Sequence, residues 1–202
     1  MNKILSFFFT ISIITLVACS EEGKQVEEEQ SQQEKTSEEG EKTEEQDTGT
    51  PGGEFQSVAH KEDIDTVEVG PLTLTIVSSN LVTGTVTDPF ILDKIGEENI
   101  DYINIGMEIS TTDEDINFSS DHLKLTTDTG ESFESPHDFM SDKVEMQYIK
   151  EDFTRSRMIV YLFDNSKVED IKSANLLIKA PTDQDGQPLG EDANVEIDFE
   201  EK

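Results

Sequence analysis

Cationic side chains are scarce in this chain, and cysteine and tryptophan are scarcer still. Fifteen lysines and arginines stand against 46 aspartates and glutamates, a formal net charge of −31. Such a surface repels nucleic-acid phosphates and anionic lipid heads and draws in cations and basic partners. A nucleic-acid partner is therefore not expected. With one cysteine, Cys19, no disulfide can form within the chain and no multi-thiolate metal centre can be built. The three histidines, His60, His122 and His137, show no HxH or HExxH spacing, so a zinc site is not expected. There is no G-x-S-x-G elbow, no Walker loop and no G-x-G-x-x-G. In so acidic a chain, paired carboxylates carry no signal for a glycosidase. The chain is expected not to be an enzyme, with a hydrolytic envelope enzyme as the least favoured alternative. A two-lobed solute receptor would need larger α/β halves than this length supplies.

The N-terminus carries one lysine, Lys3, before an apolar run from Ile4 to Val17. A charged start, an apolar middle and small residues before a cut describe a secretory leader. The run falls short of the roughly 20 residues of a membrane span, and Ser20-Glu21-Glu22 follow at once. Leu16-Val17-Ala18-Cys19 resembles the lipobox of bacterial lipoproteins. That resemblance implies cleavage before Cys19, a diacylglyceryl group on its thiol, and a cell-membrane location facing outside the cytoplasm. Stable anchoring takes two acyl chains, since a single one holds a protein only marginally. The expected organisation is a signal peptide over 1–18, a lipidated Cys19 and acidic tether over 19–58, and a domain over 59–202. From Glu21 to Thr50, Val26 is the one sizeable apolar residue. Such a segment cannot bury enough surface to offset chain entropy, so a disordered tether is expected. Its coil span would be roughly 35 Å, and self-repulsion would extend it. Thr50-Pro51-Gly52-Gly53 closes it with turn residues.

Beyond the tether, period-two alternation recurs. It runs over 72–76, 103–109, 144–148 and 195–199, and a continuous apolar run covers Met158 to Phe163. Leu123 and Leu125 precede Asp128-Thr129-Gly130, a hairpin signal with Phe133 on the return. Helical signals are confined to short turns at 89–95 and 167–172. The pattern predicts an all-β antiparallel sandwich. Residues 66–199 resemble the immunoglobulin-like, DUF4352-type lipoprotein domains of Gram-positive bacteria. The resemblance rests on Val69–Ile76 as the opening strand, Tyr102–Ser110 as the central strand, Ile116–Leu125, and the strand, turn, strand, strand order from 158 to 199. It implies an immunoglobulin-like β-sandwich and no catalytic residues. The lack of tryptophan and of an inter-sheet disulfide separates the chain from antibody-type domains.

Asp113, Asp115 and Asn117 place oxygen ligands at positions 1, 3 and 5 of a calcium-type loop, with Asp121 nearby. Position 6 is Phe118 and position 12 is Lys124, which excludes an EF-hand. A looser Ca²⁺ site and an exposed acidic loop both remain open. A second acidic turn, Asp183-Gln184-Asp185-Gly186, is explained by turn geometry. The two arginines, Arg155 and Arg157, enter the apolar run and suggest an ion pair with an acid such as Asp152. The function expected is that of a membrane-anchored, non-catalytic binding or envelope accessory module for a protein or envelope partner. A calcium-responsive module is the alternative.

Overall fold

The computed structural model describes residues 52–111, 115–147 and 153–200. The leader, Cys19, the tether and Asp113 lie outside the described residues.

The first sheet is antiparallel, in the order β1 (Gly53–Val69), β2 (Leu72–Val86), β3 (Asn99–Thr111) and β8 (Phe153–Leu162). The second has the order β10 (Ala193–Asp198), β9 (Ser173–Ile178), β5 (Leu123–Thr127) and β6 (Ser132–Phe133). A two-stranded pair joins β4 (Asn117–Phe118) to β7 (Met146–Gln147). The protein is an all-β sandwich. The alternation in β3 explains why: Ile103, Ile105, Met107 and Ile109 point to one face and are buried there. They meet Leu72, Leu74, Ile76 and Leu81 of β2, Ile159 and Tyr161 of β8, and Leu123, Leu125, Leu176, Ile178, Val195 and Ile197 of the second sheet. Burying each such side chain stabilises the fold by about 1.5–3 kcal/mol. The Tyr161 hydroxyl donates to the Leu123 carbonyl across the core at 3.1 Å, and burial pushes its pKa far above the usual tyrosine range. The Glu131 carboxylate ties the β5–β6 turn to the loop after β8, accepting from the backbone N–H of Asp164, Asn165 and Ser166.

Two boundaries differ from the sequence expectation. Strand structure extends to Gly53, ahead of the expected 59, because β1 pairs with β2 from Gly53↔Val86 to Val69↔Leu72. Val69–Ile76 is accordingly a hairpin, not one opening strand. β1 is an edge, and of its 17 residues only Val69 is buried. It carries the exposed acids Glu54, Glu62, Asp65 and Glu68, with irregularities at Ser57/Ala59 and Glu62/Asp65, devices that keep an edge from pairing with other chains. The short turn expected at 89–95 is an α-helix, α1 (Pro89–Ile95). Asp88 caps it, accepting from the N–H groups of Phe90 and Ile91, and Gly96 closes it at φ 86°.

The β1–β2 hairpin turns on Gly70-Pro71. Gly70 has φ 60°, the side on which primed hairpin turns place their first central residue. The turn sits against the backbone of Leu189 and Gly190, where a Cβ on Gly70 would meet the Leu189 carbonyl. Gly70→Ala is expected to cost about 1–2 kcal/mol for the left-handed backbone, with that contact adding to it. A urea midpoint lowered at constant m is the predicted reading. An unchanged midpoint would mean that the hairpin does not rest on the 189–190 backbone.

Candidate functional site

The outer face of the first sheet, turned away from the second, carries its own apolar layer. Val82 of β2, Ile100 of β3 and Val160 of β8 point there and are buried, yet they lie outside the main core. Their cover comes from two segments. One is α1, whose sequence PFILDKI is mostly apolar although none of its residues is buried. The other is the turn 137–142, pinned along the free edge of β8. His137 N donates to the Val160 carbonyl and Asp142 N to the Met158 carbonyl, each at 2.8 Å. Met158 N donates to an Asp142 carboxylate oxygen at 2.8 Å, and Val160 N to Ser141 Oγ at 2.9 Å. These bonds close that edge of the sheet and hold Phe139 and Met140 over its outer face.

The two covers meet where the Phe90 and Phe139 rings pack edge-to-face, 6.0 Å between centroids. They do not fill the space beneath. A groove of about 390 Å³ remains, with Phe55, Val82 and Tyr102 in its floor, Ile91 and Ile95 on one wall, and Phe139, Met140 and Met158 on the other. Phe90 is 63% exposed, Met158 46% and Phe139 42%, so the rim is apolar and open to solvent. Burial raises the pKa of Tyr102 above the usual tyrosine value, and its hydroxyl has no hydrogen-bond partner among the described residues. Its ring meets Phe55 edge-to-face at 6.3 Å, and a Cβ on Gly84 would collide with that Phe55 ring.

A polar row crosses three strands at one end of the groove. His60 Nδ1–H donates to Asn80 Oδ1 at 2.5 Å, and Asn80 Nδ2 donates to Asn104 Oδ1 at 2.9 Å. The donor assignment follows because an amide oxygen can only accept. His60 Nε2 lies 3.1 Å from a Glu62 carboxylate oxygen. An apolar trough ending in a few hydrogen-bonding groups is the common form of a binding site.

A second cavity, about 540 Å³, opens beside Glu54, Gln56, Thr83, Thr85, Asn99 and Asp101. Its one buried charge, Asp101, accepts from Lys167 Nζ at 2.7 Å, and that hydrogen bond raises the lysine pKa. The pair satisfies itself and ties the loop after β8 to β3.

Three of the four calcium candidates, Asp115, Asn117 and Asp121, are among the described residues. Asp115 accepts from Gln184 Nε2 at 3.1 Å, so the two acidic loops meet. Asn117 lies in β4, opposite Gln147, and exchanges backbone hydrogen bonds with Thr182. Asp121 lies in a 3-10 turn, Ser120–His122. Among the described residues no group of three or more His, Cys, Asp or Glu side chains could hold a metal ion. The turn at Asp183–Gly186 is built as its glycine implied, with Asp183 Oδ1 accepting from the N–H groups of Asp185 and Gln187. Arg157 donates to the Lys143 and Ser156 carbonyls at 2.7 and 2.8 Å, while Asp152 lies outside the described residues.

Histidine also serves local structure. His137 Nδ1 accepts from Met140 N at 3.4 Å and shapes the turn that carries Phe139. His122 Nδ1 accepts from Ser119 N at 3.1 Å, and its ring lies 5.0 Å from that of Phe118. Periodicity could not reveal the groove, because its parts come from six separate segments. The one local signal was apolar side chains outside the expected strands, Phe90-Ile91-Leu92 in a stretch read as a turn and Phe139-Met140 in a stretch given no element.

No family model, curated protein or solved structure matches the chain. The likeness to the immunoglobulin-like lipoprotein domains therefore rests on the sequence pattern given above.

Burial lowers the pKa of His122, outweighing the Asp121 and Asp192 carboxylates, and Lys179 acts in the same direction as burial. A depressed histidine pKa favours the neutral form in the folded state. The associated stability is present above the unfolded value of about 6.5 and is lost as pH falls through the lower, folded value. The urea midpoint is expected to fall through that window, and His122→Gln to flatten the fall. An identical slope in the variant would show that His122 is not its source.

Proposed function

We propose that this chain is a lipid-anchored, extracytoplasmic binding module, non-catalytic, with an immunoglobulin-like sandwich presented on an acidic tether. Leu16-Val17-Ala18-Cys19 supports the anchor, and the polar composition of 21–50 supports the tether. The observation that carries the binding role is the groove on the outer sheet face. Three large apolar side chains, Phe90, Phe139 and Met158, stand at its rim more than two-fifths exposed in a chain of net charge −31. Exposed apolar patches rimmed by polar residues mark interaction sites. Met158 stands on a strand of the sheet, Phe90 on α1, and Phe139 on a turn pinned to β8 by backbone hydrogen bonds, which limits the ordering cost of association. The partner is taken to be a protein of the envelope.

Two measurements test this reading. Cys19→Ser is expected to move the protein from the membrane fraction to the soluble fraction and to abolish incorporation of labelled fatty acid. A photoreactive phenylalanine analogue at Phe139 is expected to give a discrete protein adduct in native cells, and the same analogue at Glu196 on the second sheet is expected to give none. Retention of Cys19→Ser on the membrane would refute the anchor. Indistinguishable adducts from the two positions would refute the groove as the working surface.

A further inference from the structure

The groove also carries information about what enters it. Its lining holds no acid and no base: the floor and walls are Phe55, Val82, Tyr102, Ile91, Phe139 and Met158, with amide groups at one end. Whatever fills it is apolar. The border just outside that apolar rim is different. Asp138 adjoins Phe139, Asp88 caps the helix that forms one wall, and Asp142 pins the β8 edge beside Met158. Two basic side chains near the groove are already engaged. Lys94 Nζ lies 3.4 Å from Asp93 and 5.6 Å from the centre of the Phe90 ring. His60 is held between Asn80 and Glu62.

An apolar trough bordered by acids selects against anionic occupants and steers cationic ones. A second copy of this chain fits poorly, because a two-fold interface would set the same bordering acids against each other. An anionic lipid surface is repelled on the same ground. Resting on the reading of the groove as the working surface, we propose that it receives an apolar side chain from a basic segment of a partner protein. Lysines or arginines flanking that anchor meet the bordering acids. Anchor and flanks have separate tasks: the buried apolar side chain sets how long the complex lasts, and the charges set the encounter rate and exclude wrong partners.

The test uses the full lipidated protein in zwitterionic nanodiscs and three short synthetic peptides. One has a central Phe-Leu anchor flanked by lysines, one has the same anchor flanked by glutamates, and one has lysine flanks around Gly-Ser. Fluorescence anisotropy reads the affinities. The lysine-flanked anchor peptide is expected to bind, and each of the other two to bind at least about tenfold more weakly. Its affinity should fall as salt rises. Met158→Gln and Phe139→Ser should each weaken it about tenfold, and Asp138→Asn should weaken it less. Glu196→Gln, on the far sheet, should leave it unchanged, and circular dichroism should report the same fold throughout.

Equal binding of the lysine- and glutamate-flanked anchors, both lost in Met158→Gln, would overturn the basic partner while leaving the groove as the binding surface. Binding that follows lysine content and ignores Met158→Gln and Phe139→Ser would overturn both, leaving bulk attraction to an acidic protein. Self-association abolished by Met158→Gln in sedimentation velocity would assign the groove to a second copy instead. Vesicles of anionic lipid that bind the protein through Phe139 while the peptides do not would assign it to a membrane surface. Either of those two results overturns the proposal.

Discussion

The structure depends on the need to cover β3 on both faces. β3 sits between β2 and β8, and its side chains are apolar not only at Ile103, Ile105, Met107 and Ile109 but also at Ile100 and Tyr102 on the opposite face. The second sheet answers the first requirement completely. The second is met in part, by a seven-residue helix and one turn. Neither cover contributes a fully buried large side chain of its own, so the outer layer stays thin and the groove opens within it. The site is thus a consequence of the fold's stoichiometry: two sheets, three faces that need covering, and too little chain for the third.

The two edges of the first sheet are treated differently, and this places the groove. At β8 the turn 137–142 uses backbone groups, Ser141 Oγ and the Asp142 carboxylate to occupy the strand's outward hydrogen-bonding positions. The same bonds that block the edge position Phe139 and Met140. At β1 the edge is protected by charge and irregular register instead, which leaves that end of the groove open above Phe55 and Ser57. The polar row from His60 through Asn80 to Asn104 then ends the apolar floor with groups that already bond one another. The Tyr102 hydroxyl has no hydrogen-bond partner among the described residues. The groove therefore presents a large apolar surface and little hydrogen-bonding capacity, a balance suited to a protein anchor side chain and not to a sugar or a phosphate.

The sandwich was legible in the sequence because each inner strand alternates locally. β3, β10 and the β5–β6 hairpin fall where Ile103–Ile109, Val195–Phe199 and Asp128–Gly130 place them. The continuous run at 158–163 implied a strand covered on both faces or sitting centrally; β8 ends its sheet, and Val160 and Tyr161 are buried on opposite sides. The start of the domain was not legible. An edge strand with one buried residue in 17 has no strong period to detect, so β1 reads as an extension of the polar tether. The groove was not legible either, because packing between Phe55, Ile95 and Phe139 is set by tertiary geometry. The acidic loops are conspicuous in sequence for their carboxylates; in the structure Asp115 accepts from Gln184, and Asp183 accepts from turn N–H groups.

Methionine offers the most direct test of the claim that the outer face is the working surface. Met107 and Met146 are buried in the main core, while Met140 and Met158 line the groove. In protein labelled at the methionine methyl carbons, titration with the lysine-flanked anchor peptide is predicted to shift the Met140 and Met158 resonances and to leave Met107 and Met146 in place. Shifts confined to the core methionines, or no methyl shift at saturating peptide, would contradict the account and place recognition elsewhere on the sandwich.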